Sequence, residues 1–356
     1  MRAFYVVAVV LVLMACTNTN KVSRIESATG PEVKAGERFN NLYTGKQTYP
    51  VTCEQDCYPA SEAVDCELEA EKCQFVGVQS KPNVNSGYHI TWFGHASFAI
   101  TTPSGEQLLF DPVSKQFDWP VDLAFRLSEG FYRDEPKALQ NNDWLNADAV
   151  MYSHIHYDHF NKDDIAKINR SSEFLVPLGF AEYFEDDNYS ITEMSWFSSR
   201  NIGDTKINFV PAHHFSSRIW VPYIYDDNDQ TLWGGWLLEN NGKKLFFAGD
   251  TGYSPHFKDI HKTYGDIDVC LIPIASYYHP ENGSWYRHVH TTPEDSLQAA
   301  EDLQCKVTIP WGYGNHSWKM GDHTSHSALL RLLHMKQELN SDVELYIMNE
   351  GDSVAL

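Results

Sequence analysis

At 356 residues and 42% hydrophobic content, the chain has room for one large or two ordinary domains with a sizeable core, which excludes an intrinsically disordered protein. The formal charge is −21, and −22 once residues 1–15, whose only charge is Arg2, are set aside. So acidic a chain repels nucleic acid and anionic bilayers at long range, so no nucleic-acid partner is expected, although a bound metal can still receive an anion locally.

Residues 1–15 (MRAFYVVAVVLVLMA) pair a basic start with an apolar run too short and too unflanked for a good membrane span, and read as a signal peptide. The run ends in Leu13-Met14-Ala15-Cys16, which resembles the bacterial lipobox, where the cysteine becomes lipidated and N-terminal; an ordinary signal peptide with a chance cysteine is the alternative. Thr17, rather than an aspartate, follows Cys16, which favours a lipid-anchored protein of the bacterial outer membrane facing the periplasm. Residues 16–50 are polar and aperiodic, as a tether is. In the segment 51–80, Cys53, Cys57, Cys66 and Cys73 fall close together, as expected for two disulfides in an exported protein, with three connectivities open. A zinc knuckle is the alternative, but the spacing C-x3-C-x8-C-x6-C fits no strong zinc signature.

Residues 85–356 form the candidate catalytic domain. YHITWFGHASFAITTPSGEQLLFDP predicts two strands joined by a turn at Thr102 to Glu106. AVMYSH predicts a buried strand and DDIAKINRS a short helix. Strands recur at EFLVPL, TKINFVPA, GGWLLENNGKKLFFAGD, DVCLIPIA and KVTIPWG. TPEDSLQAAEDLQ is a helix with Thr292 as N-cap and Pro293 at its first position; SHSALLRLLHMKQEL is a second, and VELYIM a final strand. Cys270 and Cys305, in apolar runs, read as buried small apolar residues. This alternation predicts an α/β fold of two sheets covered by helices.

The chemistry gathers at strand ends. His154, His156, Asp158 and His159 form H-x-H-x-D-H directly after AVMYS. Imidazoles two apart in an extended turn can point into one site, while the neighbouring aspartate and histidine serve a second metal beside it. A solvated histidine-rich loop is the bland alternative. His213-His214 follows INFVPA, and Asp250 follows LFFAG; each alone is an ordinary strand end or turn, but together with the motif they bring three strand ends to one centre.

GHASF, FDPVS, SHIHYDHF, FVPAHHFSSR, WGGW, FFAGDTGY, DVCLIPIASY and HTTPEDS, in this order over roughly residues 88–318, resemble the metallo-β-lactamase superfamily, in its N-acyl-phosphatidylethanolamine-hydrolysing phospholipase D branch, and the bacterial outer-membrane lipoproteins related to it. The resemblance implies an αββα sandwich, two mixed β-sheets flanked by helices, with one or two zinc ions at an edge. It implies one zinc on His154, His156 and His214, Asp250 as a bridge, and a second metal on Asp158 and His159. It also places His290 near the reacting phosphate, as a catalytic residue, with His288 a neighbour that could be mistaken for it; Asp158, beside the metals, is expected to be catalytic too by orienting the nucleophile.

One position departs from the pattern. The family's last ligand is a histidine before tryptophan-glycine, and Pro310 stands there in VTIPWGYGNH. Either His316 loops back to replace it, or water fills the place, or one metal suffices. The activity implied is phospholipase D-type hydrolysis of N-acyl-phosphatidylethanolamine by metal-activated water. The alternatives are a lactonase or other carbonyl-ester hydrolase, or a noncatalytic metal-binding envelope lipoprotein. Expected partners are a membrane, through the lipid anchor, and a phospholipid substrate, with an acyl groove lined by FDWPVDLAFRLSEGFYR or HHFSSRIWVPYIYDD; a homodimer is left open.

Overall fold

The computed structural model describes residues 19–28, 38–46, 58–67, 72–79, 81–114, 142–218, 220–221, 225–275, 277, 284–317 and 324–356. Cys16, Cys53, Cys57 and the aromatic stretch at 117–133 lie outside these residues.

In chain order the strands are β1 (Lys21–Ile25), β2 (Val64–Glu67), β3 (Lys72–Phe75), β4 (His89–Gly94), β5 (Ser97–Thr101), β6 (Gln107–Phe110), β7 (Ala149–Met151), β8 (Glu173–Pro177) and β9 (Ser190–Met194). There follow β10 (Ser199–Ile202), β11 (Thr205–Val210), β12 (Trp220–Val221), β13 (Tyr225–Asp226), β14 (Gly235–Asn240), β15 (Lys243–Phe247), β16 (Ile267–Pro273), β17 (Cys305–Trp311) and β18 (Ser353–Ala355). One sheet has the order β1-β9-β8-β7-β6-β5-β4-β18 and a second the order β10-β11-β14-β15-β16-β17; β2 pairs with β3 and β12 with β13. Both large sheets are mixed: β6, β7, β8 and β9 run parallel, as do β15, β16 and β17, while the hairpins are antiparallel.

The sheets meet through aromatic residues. Phe110 of the first stacks on Phe247 of the second with ring centroids 4.8 Å apart, and Phe247 stacks on Trp311 at 5.5 Å. All seven residues of β16 are buried, which is why IDVCLIP is apolar rather than alternating except at Asp268, whose carboxylate is paired with Lys306 at 2.7 Å. Helix α1 (Lys162–Ile165), capped by the Asn161 side chain, accompanies a second apolar cluster with Phe160 and Phe174. Helices α2 (His256–Tyr264), α3 (Pro293–Asp302) and α4 (Ser327–Glu338) join the main core, and α3 packs on β16 and β17. The result is the expected αββα layering. Thr292 caps α3 by accepting from Asp295 N.

Four details differ from the sequence reading. The first long strand is broken at Gly94 and His95, with φ of 117° and 48°, so β4 and β5 form a tight hairpin before the one at Thr102 to Glu106. VELYIM forms only an isolated bridge, Thr308 to Leu345, and the last strand is β18. Within the segment expected to be a tether, β1 extends the first sheet by pairing parallel with β9, and Arg38 meets Asp226 at 2.8 Å. Cys270 and Cys305 are not free thiols but a disulfide, Cα–Cα 5.9 Å; they lie 35 residues apart on strands that become neighbours only through the α3 crossover, a proximity their local runs do not reveal. Cys66 and Cys73 form a disulfide across the β2–β3 hairpin. No described helix is long and apolar enough to cross a membrane.

Candidate metal centre

The strand ends converge as β7, β11 and β15 stop on the same edge of the sandwich. After β7 the chain turns through Ser153 to His159, and Asp111, at the end of β6, fixes that turn. The Asp111 carboxylate, fully buried, accepts from Ser153 N at 2.7 Å, from Ser153 Oγ at 2.6 Å and from His159 Nδ1 at 2.7 Å. Arg218, also buried, donates to the carbonyls of Ile155 (2.8 Å) and Phe160 (2.9 Å) and lies over the Tyr157 ring, clamping the same turn from the other side.

These contacts set the direction of each imidazole. Ser153 Oγ sits 2.9 Å from His154 Nδ1, and His214 Nδ1 donates to Val289 O at 2.9 Å, so the Nε2 atoms of both rings point inward. His154 Nε2 lies 2.8 Å from His156 Nδ1, and His214 Nε2 lies 3.2 Å from that same atom. Ligands at about 2.0 Å from a tetrahedral ion stand about 3.3 Å apart, so three ring nitrogens at this spacing match the shell of one ion. On the other side, His159 Nε2 is buried without a hydrogen-bond partner, 3.2 Å from an Asp250 oxygen and 3.7 Å from an Asp158 oxygen. Among the described residues, four groups of side chains could hold an ion: His154 with His156 and His214, His95 with Asp158 and His159, His154 with His159 and Asp250, and His214 with Asp250 and His290.

The electrostatics suit the same purpose. Burial, reinforced by His159, His156 and the His214 ring, holds the His154 pKa well below the ordinary value, and burial lowers that of His156 to about 4. His214 is likewise depressed by burial, so these rings are neutral and keep lone pairs for a metal. Burial alone would raise Asp158 and Asp250, but the His159 charge beside both, with His95 and His290, holds them well below the carboxylate range. Burial alone would depress His159; Asp250, Asp158 and Asp111 around it push it well above the usual value. A buried cationic place among three carboxylates is one that a divalent ion fits.

The sequence-predicted residues His154, His156, Asp158, His159, His214 and Asp250 are therefore brought together, and His290 reaches Asp250 through Nε2 at 3.3 Å. His213 points elsewhere, against His288 at 4.5 Å between ring centres. Pro310 is buried in β17, paired with Ile272. His316 does not loop back: its Nδ1 lies 2.7 Å from Glu350 Oε2, its backbone N–H donates to Glu350, and it belongs to none of the four groups. The residue that sequence reasoning missed is His95, in the quoted GHASF. The signal available was the glycine before it, which permits the tight turn that breaks the apparent strand.

Beside His214 opens a cavity of about 330 Å³ walled by Phe39, Phe215, Trp233 and Val289 together with the polar Asn40, Asn41, Asp229 and His288. Asn41 builds its wall into the centre: its side chain accepts from His214 N (3.0 Å) and Trp233 Nε1 (3.1 Å) and donates to His214 O (2.7 Å). The loop carrying Val289 and His290 is anchored by Arg287, whose guanidinium donates twice to Asp295 at 2.8 and 2.9 Å; Lys46 adds a third contact at 2.7 Å. Burial opposes ionisation of Asp295, but Arg287 and Lys46 hold its pKa below the ordinary value. A depressed carboxyl contributes stability that is complete above its unfolded pKa, about 3.9, and is lost as pH falls through the folded value. Asp295→Asn is therefore expected to lower unfolding free energy by about 2 kcal/mol at pH 7, and urea titrations should find the gap to wild type closing below about pH 4.

The sequence profile of the beta-lactamase superfamily domain matches residues 106–313, more than half of the chain, and the protein belongs to that superfamily. An uncharacterised protein of Mycobacterium tuberculosis is 30% identical over 256 residues, 67% of this chain and 64% of its own. N-acyl-phosphatidylethanolamine-hydrolyzing phospholipase D 1 of Caenorhabditis elegans is 28% identical over 244 residues, 64% of each chain. The chain thus spans 64% of the length of both these relatives. The outer membrane protein RomA of Klebsiella pneumoniae is 31% identical over 116 residues, 32% of this chain and 77% of that one. Among solved structures, a possible metal-dependent hydrolase from Veillonella parvula shares the fold with a TM-score of 0.54 at 14% identity, over 75% of this chain and 99% of that one.

Proposed function

We propose that the protein is a zinc-dependent hydrolase that cleaves the phosphodiester of N-acyl-phosphatidylethanolamine, releasing phosphatidic acid and N-acylethanolamine. The observation that carries this reading is the convergence of three neutral imidazoles, His154, His156 and His214, with an ionised Asp250 beside a cavity of about 330 Å³ whose wall joins apolar side chains, Phe39, Phe215, Trp233 and Val289, to polar ones, Asn40, Asn41, Asp229 and His288. The likeness to the nematode phospholipase D supports the substrate class. Likeness to RomA and the lipobox-like Cys16 support a lipid-anchored place in the outer membrane, where substrate is concentrated in two dimensions.

Divalent ions bound here supply Lewis acidity and an activated water near neutral pH. His154, His156 and His214 would hold one ion, and Asp158 and His159 would hold the other with Asp250 shared. Hydrolysis adds water across the P–O bond to the N-acylethanolamine, so the leaving oxygen must gain a proton. His290 is the side chain that can deliver it: its Nε2 lies 3.3 Å from the Asp250 carboxylate at the centre, so this nitrogen, facing the site, would give its proton to the leaving oxygen and be reprotonated from water. Phe215 and Trp233 offer apolar surface to an acyl chain next to the reacting centre.

The test is phosphatidic acid release from vesicles containing N-acyl-phosphatidylethanolamine by the zinc-loaded full chain, with His154→Ala as control. Release that vanishes in the control is expected. A folded, metal-loaded protein that releases none, but opens lactones or cleaves carboxylic esters, would replace the phosphodiesterase reading with a carbonyl hydrolase.

A further inference from the structure

We propose that His95 is a ligand of a second metal ion in the site, completing with Asp158, His159 and Asp250 the shell that Pro310 leaves short. The inference deepens the reading of the site as a metal centre and rests on it.

Three observations carry it. The first is placement: His95 Nε2 is 2.9 Å from Asp158 Oδ2, and one ligand atom each from His95, Asp158 and His159 lie within 4.8 Å of one another. Asp250, 3.2 Å from His159 Nε2 on the side towards the first ion position, would add a shared carboxylate to these two imidazoles and the Asp158 carboxylate.

The second is the manner in which the ring is held. His95 is 4% exposed and sits at φ 48°, a left-handed conformation that costs a non-glycine residue energy and persists only where its surroundings enforce it. They do so here: Trp92 Nε1 donates to His95 O at 2.9 Å, and Ser317 Oγ lies 3.4 Å from Nδ1. The β4–β5 hairpin turn thus delivers one imidazole nitrogen to the centre.

The third is its relation to the position that changed. The His95 ring lies edge-on to Trp311, 6.4 Å between centroids, and edge-on to His159 at 5.2 Å. Trp311 directly follows Pro310, so an imidazole from the opposite sheet stands against the strand end from which a ligand is absent. A histidine kept there only to hydrogen-bond Asp158 could be replaced by any comparable donor. A ligand could not.

That difference defines the experiment. Zinc and cobalt content of the full chain is measured after saturation and desalting, for wild type, His95→Ala and His95→Gln, together with the visible spectrum of the cobalt forms. The glutamine side chain can still donate to Asp158 but offers no imidazole. The expected result is two ions per wild-type chain and one in each variant, with second-site affinity weaker by about 100-fold or more and one set of cobalt bands lost. The ion retained on His154, His156 and His214 reports that the variants are folded. Two ions in His95→Gln would overturn the assignment and make His95 a positioning residue. One ion in wild type would also overturn it, while leaving the first site intact. No ion in wild type would remove the metal-centre reading itself.

Discussion

Asp250→Ala is expected to lower hydrolysis by the metal-loaded protein by about 10³-fold or more, because substitutions of residues that merely support metal ligands already cost about 10–100-fold and the proposal places this carboxylate in the shell itself. Asp250 occurs in two of the four candidate groups, with His154 and His159 and with His214 and His290, the position that the proposed shared ligand requires. It also stands 3.2 Å from His159 Nε2 and 3.3 Å from His290 Nε2. Its loss removes a negative charge from both ion positions and frees the histidine proposed to carry the proton. Activity and metal content should therefore fall together in Asp250→Ala. His290→Ala should keep its ions and lose turnover alone. Measuring kcat/KM beside metal stoichiometry in both variants separates the two roles, and an Asp250→Ala protein with full metal content and near-normal turnover would remove the shared-ligand assignment.

Much of this arrangement is legible in the sequence because it depends on local patterns. The run AVMYS followed by H-x-H-x-D-H marks a buried strand that must end in a polar turn, and β7 ends there. Thr292 and Pro293 mark the start of α3 for reasons contained within one turn of helix. What the sequence conceals depends on contacts across long separations. His95 lies 63 positions from Asp158, and its turn looks like the interior of one continuous strand because aromatic and aliphatic residues flank it on both sides in TWFGHASFAI. Cys270 meets Cys305 only after two strands pair around a helix. Asn41 and Lys46, in a stretch whose polarity suggests a tether, reach the centre and the loop beside it because side-chain hydrogen bonds, three from Asn41 and one from Lys46, dock them there, and such bonds leave no periodicity to read. β1 has the same origin: a short, largely exposed strand taking a free sheet edge next to β9.

Asp111→Asn is the second substitution with a large expected effect, because the amide cannot reproduce what the carboxylate accepts. One Asp111 oxygen takes Ser153 N–H, and the other takes both Ser153 Oγ–H and His159 Nδ1–H. If the new NH2 faces Ser153 N, two buried donors oppose each other. If it faces His159, the imidazole must move its proton to Nε2, the atom aimed at Asp250 and Asp158, and a protonated Nε2 cannot bind a metal. The first arrangement is expected to cost about 3 kcal/mol of stability, as breaking a buried charged pair does. The second weakens the ion held by His159 by about 10–100-fold. Denaturant unfolding of the metal-free protein reads the first effect, and a zinc titration reads the second. A variant unchanged in both would mean that Ser153 and Arg218 hold the turn without Asp111; a variant changed only in zinc affinity would mean that the histidine tautomer, not the packing of the turn, is what the buried carboxylate fixes.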